Sequence, residues 1–185
     1  MLKEKSFYFA RHGESEHNAR GICAGGRTDS PLTSRGESEA YLLRDKVLEV
    51  GIERTICSPL LRAKRTAEIA GGPSIFVEED LKEIDIGIFE DQKEPKIIDY
   101  VMDLPWEVPI REGESKAAFT QKIGEAVNKW LSKEEGTLLF VAHGFVYVAL
   151  LTLIGRKVTR EDLKVKNASL IHFHHDGTSW YVVPS

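Results

Sequence analysis

The chain is short of cysteine, has no surplus of positive charge and holds no long unbroken apolar run. Each shortage closes off a class of protein. Two cysteines in 185 residues, Cys23 and Cys57, cannot staple a disulfide scaffold, and they lack the paired spacing of a zinc site. Two thiols without a framework fit a reducing compartment, so a cytoplasmic location is expected. A formal net charge of -4 gives no general attraction to nucleic acid. The first residues carry no secretory pattern, because Lys3, Glu4 and Lys5 are followed by only four apolar residues before Arg11. The longest apolar stretch, 138–154, is interrupted by His143 and Gly144, so it reads as a strand plus a buried helix rather than a membrane span. No glycine-lysine loop of the Walker type is present.

What is there is ordinary in bulk and uneven in placement. A hydrophobic content of 42% and a charged content of 29% suit one globular domain spanning 1–185, long enough for a real core. Residues 78–91 carry seven acidic side chains against one basic, a local excess on an otherwise balanced chain. Residues 6–10 and 138–142 are short apolar runs of the kind that form buried strands. Segments 53–57 and 74–77 read as further strands, and 169–174 with 180–183 as a strand pair turning at Asp176-Gly177. Between them, Ala40, Leu43, Val47 and Val50 mark one helix, opened by Ser34 and Glu37 at capping-box spacing. Ser58 with Pro59 opens a second helix, ended by Gly71-Gly72-Pro73. Short helices are expected near 97–102 and at 145–154, and a longer one over 114–132. Strands alternating with helices predict a three-layer α/β/α domain with a mainly parallel central sheet, and a short insert at about 84–113.

Both apolar runs break into a histidine: Arg11-His12-Gly13-Glu14 after the first, His143-Gly144 after the second. In parallel sheets ligands gather at the carboxyl ends of strands. Arg62 falls one turn beyond a third strand, so two histidines and two arginines are expected at one edge. Guanidinium groups match a phosphoryl or carboxyl group, and the helix opening at Pro59 is expected to turn its positive end toward such an anion. A neutral imidazole can attack phosphorus, and a second can steady the charge on the transferring oxygens. This chemistry needs no metal or cofactor, and none is expected.

Arg11-His12-Gly13-Glu14, with Ser15 and Asn18 behind it, resembles the signature of the histidine phosphatase superfamily, the phosphoglycerate-mutase-like proteins. The resemblance continues in order through Asp29-Ser30-Pro31-Leu32-Thr33 with Gly36, Ser58-Pro59-Leu60-Leu61-Arg62-Ala63 with Arg65-Thr66-Ala67, and Leu81-Lys82-Glu83 with Gly87. It closes on Gly113-Glu114-Ser115 and Val141-Ala142-His143-Gly144. It implies a phosphoglycerate-mutase-like fold and a division of roles. His12 becomes the phosphorylated nucleophile. Arg11, Arg62 and His143 hold the phosphoryl oxygens, with Asn18 assisting and Ser15 and Gly144 as further contacts. Glu83 is the general acid and base, its pKa expected to be raised by neighbours such as Asp85. The chain departs from the pattern after Gly87, where Phe89-Glu90-Asp91 stands in place of an aromatic residue followed by glutamate-glycine.

The resemblance implies hydrolysis of a small phosphorylated metabolite, by a monomer or dimer that uses neither nucleic acid nor membrane. A phosphoglycerate-type mutase is the alternative. It is disfavoured by the short span from Glu83 to His143 and by Asp91-Gln92-Lys93-Glu94 where a basic stretch is expected. An inactive phosphate-binding module is disfavoured by the intact His12, Arg62, Glu83 and His143, and a phosphohistidine phosphatase by the presence of Glu83. Arg20, Arg27 and Arg65 stand as entrance or surface residues. His172 and His174 share a strand face without a third ligand for a metal, and Asn167-Ala168-Ser169 reads as structural.

Overall fold

The computed structural model describes residues 1–93 and 96–184, so Glu94 of the departing segment lies outside the described residues. Six strands form one sheet in the order β3-β2-β4-β1-β5-β6, where β1 is Phe7–Arg11, β2 Arg54–Cys57, β3 Ser74–Val77, β4 Leu138–Ala142, β5 Leu170–His175 and β6 Trp180–Pro184. The pairs β1·β4, β2·β4 and β2·β3 are parallel, while β5 runs antiparallel to both β1 and β6. The helices are α1 (Glu16–Arg20), α2 (Ser34–Glu49), α3 (Leu61–Ala70), α4 (Lys96–Asp103), α5 (Lys116–Lys133) and α6 (Gly144–Leu153).

Alternation along the strands divides the core into two layers. Phe7 and Phe9 of β1, Leu138, Phe140 and Ala142 of β4, and Ile171 and Phe173 of β5 point to one side, where they meet Phe119, Ile123 and Val127 of α5 and Val146 and Leu150 of α6. Ala10, Leu139, Val141 and Leu170 point to the other, against Leu43 and Val47 of α2 and Ala63, Ala67 and Ala70 of α3. A strand buried on both faces must be apolar throughout, which is why the first and fourth strands read as unbroken runs. Phe7 stacks on Phe173 at 4.9 Å between centroids and meets Phe140 edge-on at 5.4 Å.

Helix starts differ in detail from the sequence expectation. Helix α2 is capped by Thr33, whose side chain accepts from Gly36 N at 3.0 Å, rather than by a box opened at Ser34. Helix α3 begins at Leu61 with no side-chain bond from its cap residue Leu60, while Ser58 Oγ accepts from Leu60 N at 3.3 Å. Helix α1 has no sequence forecast: it is five residues long, with no buried side chain to set a periodicity. The acidic segment 78–91 contains two single-turn 3-10 helices, Glu79–Leu81 and Gly87–Phe89.

Candidate active site

Strand pairing puts the two histidines side by side. Strands β1 and β4 are adjacent, parallel and in register at Arg11↔Ala142, so the next residue on each is a histidine at the carboxyl edge. His12 N donates to Ala142 O at 3.0 Å, and the imidazole centroids lie 5.1 Å apart. Strand β2 ends one place along, where Ser58 N donates to Val141 O at 3.0 Å. Its Oγ lies 2.8 Å from His143 Nε2 and also accepts from Leu60 N at 3.3 Å, so Ser58 orients an imidazole while still engaging the turn that opens α3, as the sequence predicts. His143 Nδ1 is buried and has no hydrogen-bond partner among the described residues.

The loop bearing His12 is fixed from several sides. Its Nδ1 lies 2.7 Å from Gly13 O. A carbonyl only accepts, so Nδ1 carries the proton and Nε2 keeps a lone pair. Gly13 N donates to Thr66 Oγ1 at 3.0 Å, and that hydroxyl donates to Arg62 O at 2.7 Å, linking the loop to α3. Asn167 Nδ2 donates to His12 O at 2.8 Å, which makes this residue a support of the loop bearing His12. Its neighbour Ala168 holds a positive φ of 48° while its N–H reaches Arg11 O at 3.0 Å. Gly13 and Gly36 exist for clearance: a Cβ at Gly13 would lie 2.4 Å from Gly36 O, and one at Gly36 2.0 Å from Glu14 O.

Arg62 is almost fully buried, and its guanidinium donates to Thr28 O at 3.1 Å and Gly25 O at 3.2 Å, with Asp29 Oδ1 at 3.8 Å. Asp29 also accepts from Leu61 N at 2.9 and 3.0 Å, so the positive end of α3 is occupied by this carboxylate and is not open to an anion as expected. Helix α6 serves the site instead: Phe145 N in its first turn donates to Glu83 Oε2 at 3.2 Å, while Ile84 N donates to Oε1 at 2.9 Å. Arg11 donates to Val165 O at 2.8 Å.

Arg11, His12, Asn18, Arg62, Glu83 and Gly144 line one cavity of about 510 Å³, next to His143. Ser15 is not on that lining. It is fully buried as the cap of α1, in a reciprocal box with Asn18: Ser15 N reaches Asn18 Oδ1 at 3.2 Å, and Asn18 N reaches Ser15 Oγ at 3.3 Å. A Cβ at Gly144 would meet Glu83 Oε2 at 3.9 Å, an ordinary contact, so steric clearance does not require glycine there. Arg20, Arg27 and Arg65 are absent from the lining; Arg27 pairs with Asp85 at 2.8 Å and Arg65 with Glu37 at 2.9 Å.

Electrostatics set the protonation states. Burial, then Arg62 and Arg11, hold His12 well below the usual imidazole range. The same burial and Arg62, with His12 and Arg11, lower His143. Burial pushes the Glu83 carboxyl up, opposed by the Ile84 and Phe145 N–H groups and by Arg62 and Arg11. Asp85, expected to raise Glu83, instead faces Arg27 and accepts from Gly87 N at 2.8 Å.

The departure from the expected pattern after Phe89 also has a structure. Asp91 adopts a positive φ of 61°, a conformation that glycine adopts freely. Its carboxylate accepts from Thr28 Oγ1 at 3.2 Å and lies 2.8 Å from His17 Nε2. Glu90 accepts from the backbone of Arg27 and Thr28, so this pair of acids fastens the 24–28 loop that holds Arg62. His172 and His174 do share a face, with centroids 5.3 Å apart, and no group of three or more potential metal ligands occurs among the described residues. Nor is any helix among them long and apolar enough to cross a membrane.

A sheet covered on both faces, with two histidines and two arginines at its carboxyl edge, defines an α/β protein built to bind and transfer a phosphoryl group. The chain belongs to the histidine phosphatase superfamily (branch 1), whose family model matches residues 7–184. It is 32% identical over 186 residues to the "Probable phosphoglycerate mutase GpmB" of Erwinia tasmaniensis, covering 94% of this chain and 86% of that protein. Among solved structures it is similar to YhfR of Bacillus stearothermophilus, with a TM-score of 0.79 and 28% identity over 97% of this chain and 96% of that one. The open reading frame Rv3214 of Mycobacterium tuberculosis matches with a TM-score of 0.79 and 25% identity, over 98% and 96% of the two chains.

Proposed function

We propose that the protein hydrolyses a small phosphomonoester through a phosphohistidine on His12. The observation that carries this reading is the pairing of a tautomer-fixed His12 with Arg11, Arg62 and Glu83, whose carboxyl pKa burial pushes up, on one cavity wall. His12 Nε2 attacks phosphorus as the P–O bond to the leaving alcohol breaks. Arg11, Arg62, His143 Nδ1 and the Asn18 amide donate to the equatorial oxygens, where charge accumulates. Glu83 gives its proton to the departing oxygen, which leaves as the neutral alcohol. Water then attacks the phosphohistidine, Glu83 takes the water's proton, and the P–N bond breaks to release phosphate and restore His12. The substrate is a small phosphorylated metabolite, and the setting a reducing cytoplasm.

A second reading, phosphoryl transfer back to a phosphoglycerate, is favoured by the name given to the relatives such as that of Erwinia tasmaniensis. The test is direct. Incubation with 4-nitrophenyl phosphate without added metal releases phosphate, and His12→Ala abolishes both release and acid-labile phosphoprotein. Turnover unchanged in His12→Ala refutes the mechanism. Interconversion of 3- and 2-phosphoglycerate outrunning phosphate release replaces hydrolysis by the mutase reading.

A further inference from the structure

The phosphoryl end occupies only part of the cavity. Beyond Arg11, His12 and Arg62 it continues between α4 and the 3-10 turn Arg160–Lys164, walled by Ile22, Ile84, Ile86, Ile98, Phe145 and Leu163. A group leaving the phosphorus in that direction meets aliphatic and aromatic carbon. The far rim carries Asp99, Arg160, Glu161 and Lys164. Its two cations already face carboxylates. Arg160 Nε donates to Asp99 Oδ1 at 3.0 Å and its terminal nitrogen to Asp103, and Lys164 Nζ lies 2.7 Å from Glu161 Oε1. The remaining arginines of the lining, Arg11 and Arg62, stand at the phosphoryl end.

We infer that the site selects phosphomonoesters whose leaving group is apolar, of aryl size, and without a second negative charge, with Arg160, Asp99 and Asp103 as the specificity-determining residues. The inference rests on the phosphomonoester reading of the same cavity. A second anion reaching the rim meets the Asp99 and Glu161 carboxylates, and to recruit Arg160 it must displace Asp99 and Asp103. Each exposed pair is weak on its own, so selection comes from the balance of charge and not from a rigid barrier. The apolar walls act in the same direction, because burying a charged group against them without a partner is unfavourable while burying a ring is favourable.

Binding of non-hydrolysable phosphonates to the intact protein, followed by calorimetry, tests the assignment apart from turnover. 1-Naphthylphosphonate binds more tightly than phenylphosphonate, and 4-carboxyphenylphosphonate binds about tenfold more weakly. In the Asp99→Asn/Asp103→Asn double variant Arg160 is released, and the carboxylate penalty shrinks to about threefold or less. Equal or tighter binding of the carboxylated ligand, or a penalty unchanged in the double variant, overturns the assignment. Turnover of the matching phosphate esters reports separately on hydrolysis. Discriminating binding without turnover refutes hydrolysis and leaves the pocket assignment standing, while turnover without discrimination refutes only the assignment. Failure of all three phosphonates to bind overturns the assignment, and hydrolysis with it where the matching esters are not turned over either.

Discussion

A histidine can attack phosphorus only through a nitrogen that keeps its lone pair, and at His12 the Gly13 carbonyl decides which nitrogen that is. Glu83 must do the opposite and hold a proton. The two requirements are met together because burial lowers one pKa and raises the other. The productive form has His12 neutral and Glu83 protonated. Activity therefore falls at low pH as His12 takes up a proton, and falls at high pH as Glu83 loses one. Glu83→Gln is expected to slow alkyl phosphates by about 10²–10⁴-fold but 4-nitrophenyl phosphate far less, and to remove the alkaline limb. Values of kcat/KM on both ester types across pH, which report the phosphorylation step alone, check this. Equal losses of kcat/KM on both would remove Glu83 from proton transfer to the leaving group. At this scale the sequence was informative where a side chain ends an apolar run, as at His12 and His143. It marked Ser58 as a helix opener but was silent on its bond to His143, because a hydroxyl that also holds an imidazole leaves the local pattern unchanged. Asn167 was likewise ambiguous, because its partner is a carbonyl at the far end of the chain.

The elements show why certain glycines and one aspartate stand where they do. The loop bearing His12 and the first turn of α2 approach so closely that a side chain at Gly13 or Gly36 would collide with backbone. Asp91 takes a left-handed turn at φ 61° and uses its carboxylate to tie that turn to His17 and Thr28. Left-handed backbone costs a residue with a Cβ about 1–2 kcal/mol, less for aspartate, whose short side chain bonds locally. Asp91→Ala is thus expected to destabilise the fold by about 1–2 kcal/mol, and Asp91→Gly by less. Urea unfolding of the two variants measures the difference. A glycine as costly as the alanine would place the whole effect in the side-chain bonds. Buried strands and the amphipathic α2 and α5 were legible in the sequence because burial imposes their period. Helix α1 was not, since no buried side chain sets its period, and the turns of 78–91 were not, since their buried Leu81, Ile84 and Ile86 follow the spacing of neither a helix nor a strand.

For the molecule as a whole, the site is a cost that acid exposes. His12 and His143 are buried and neutral, with folded pKa values below the unfolded value of about 6.5. The unfolded chain then binds more protons than the native one below about pH 6.5, so stability falls as pH drops through that point, by up to about 1.4 kcal/mol per pH unit for each histidine. Glu83, raised in the native state, works the other way: its contribution is present in acid and lost as pH rises through its folded pKa. Denaturation curves at a series of pH values are expected to show a shallower acid slope in His143→Asn than in the parent. An unchanged slope would mean the imidazole is already charged in the fold. The alternating α/β layout was legible in the chain, as was the carboxyl edge where the histidines meet. Which helix end serves the site was not, because Asp29, distant in sequence, claims α3 and leaves α6 to hold Glu83. The register of Arg11 against Ala142 has one more consequence, in time rather than space. The two histidines come together only when strands from opposite ends of the chain have paired, a late event for a contact of such long range. During refolding of a Trp106→Phe/Trp180→Phe variant, turnover is therefore expected to return after the fluorescence of Trp130 in α5, and never ahead of it.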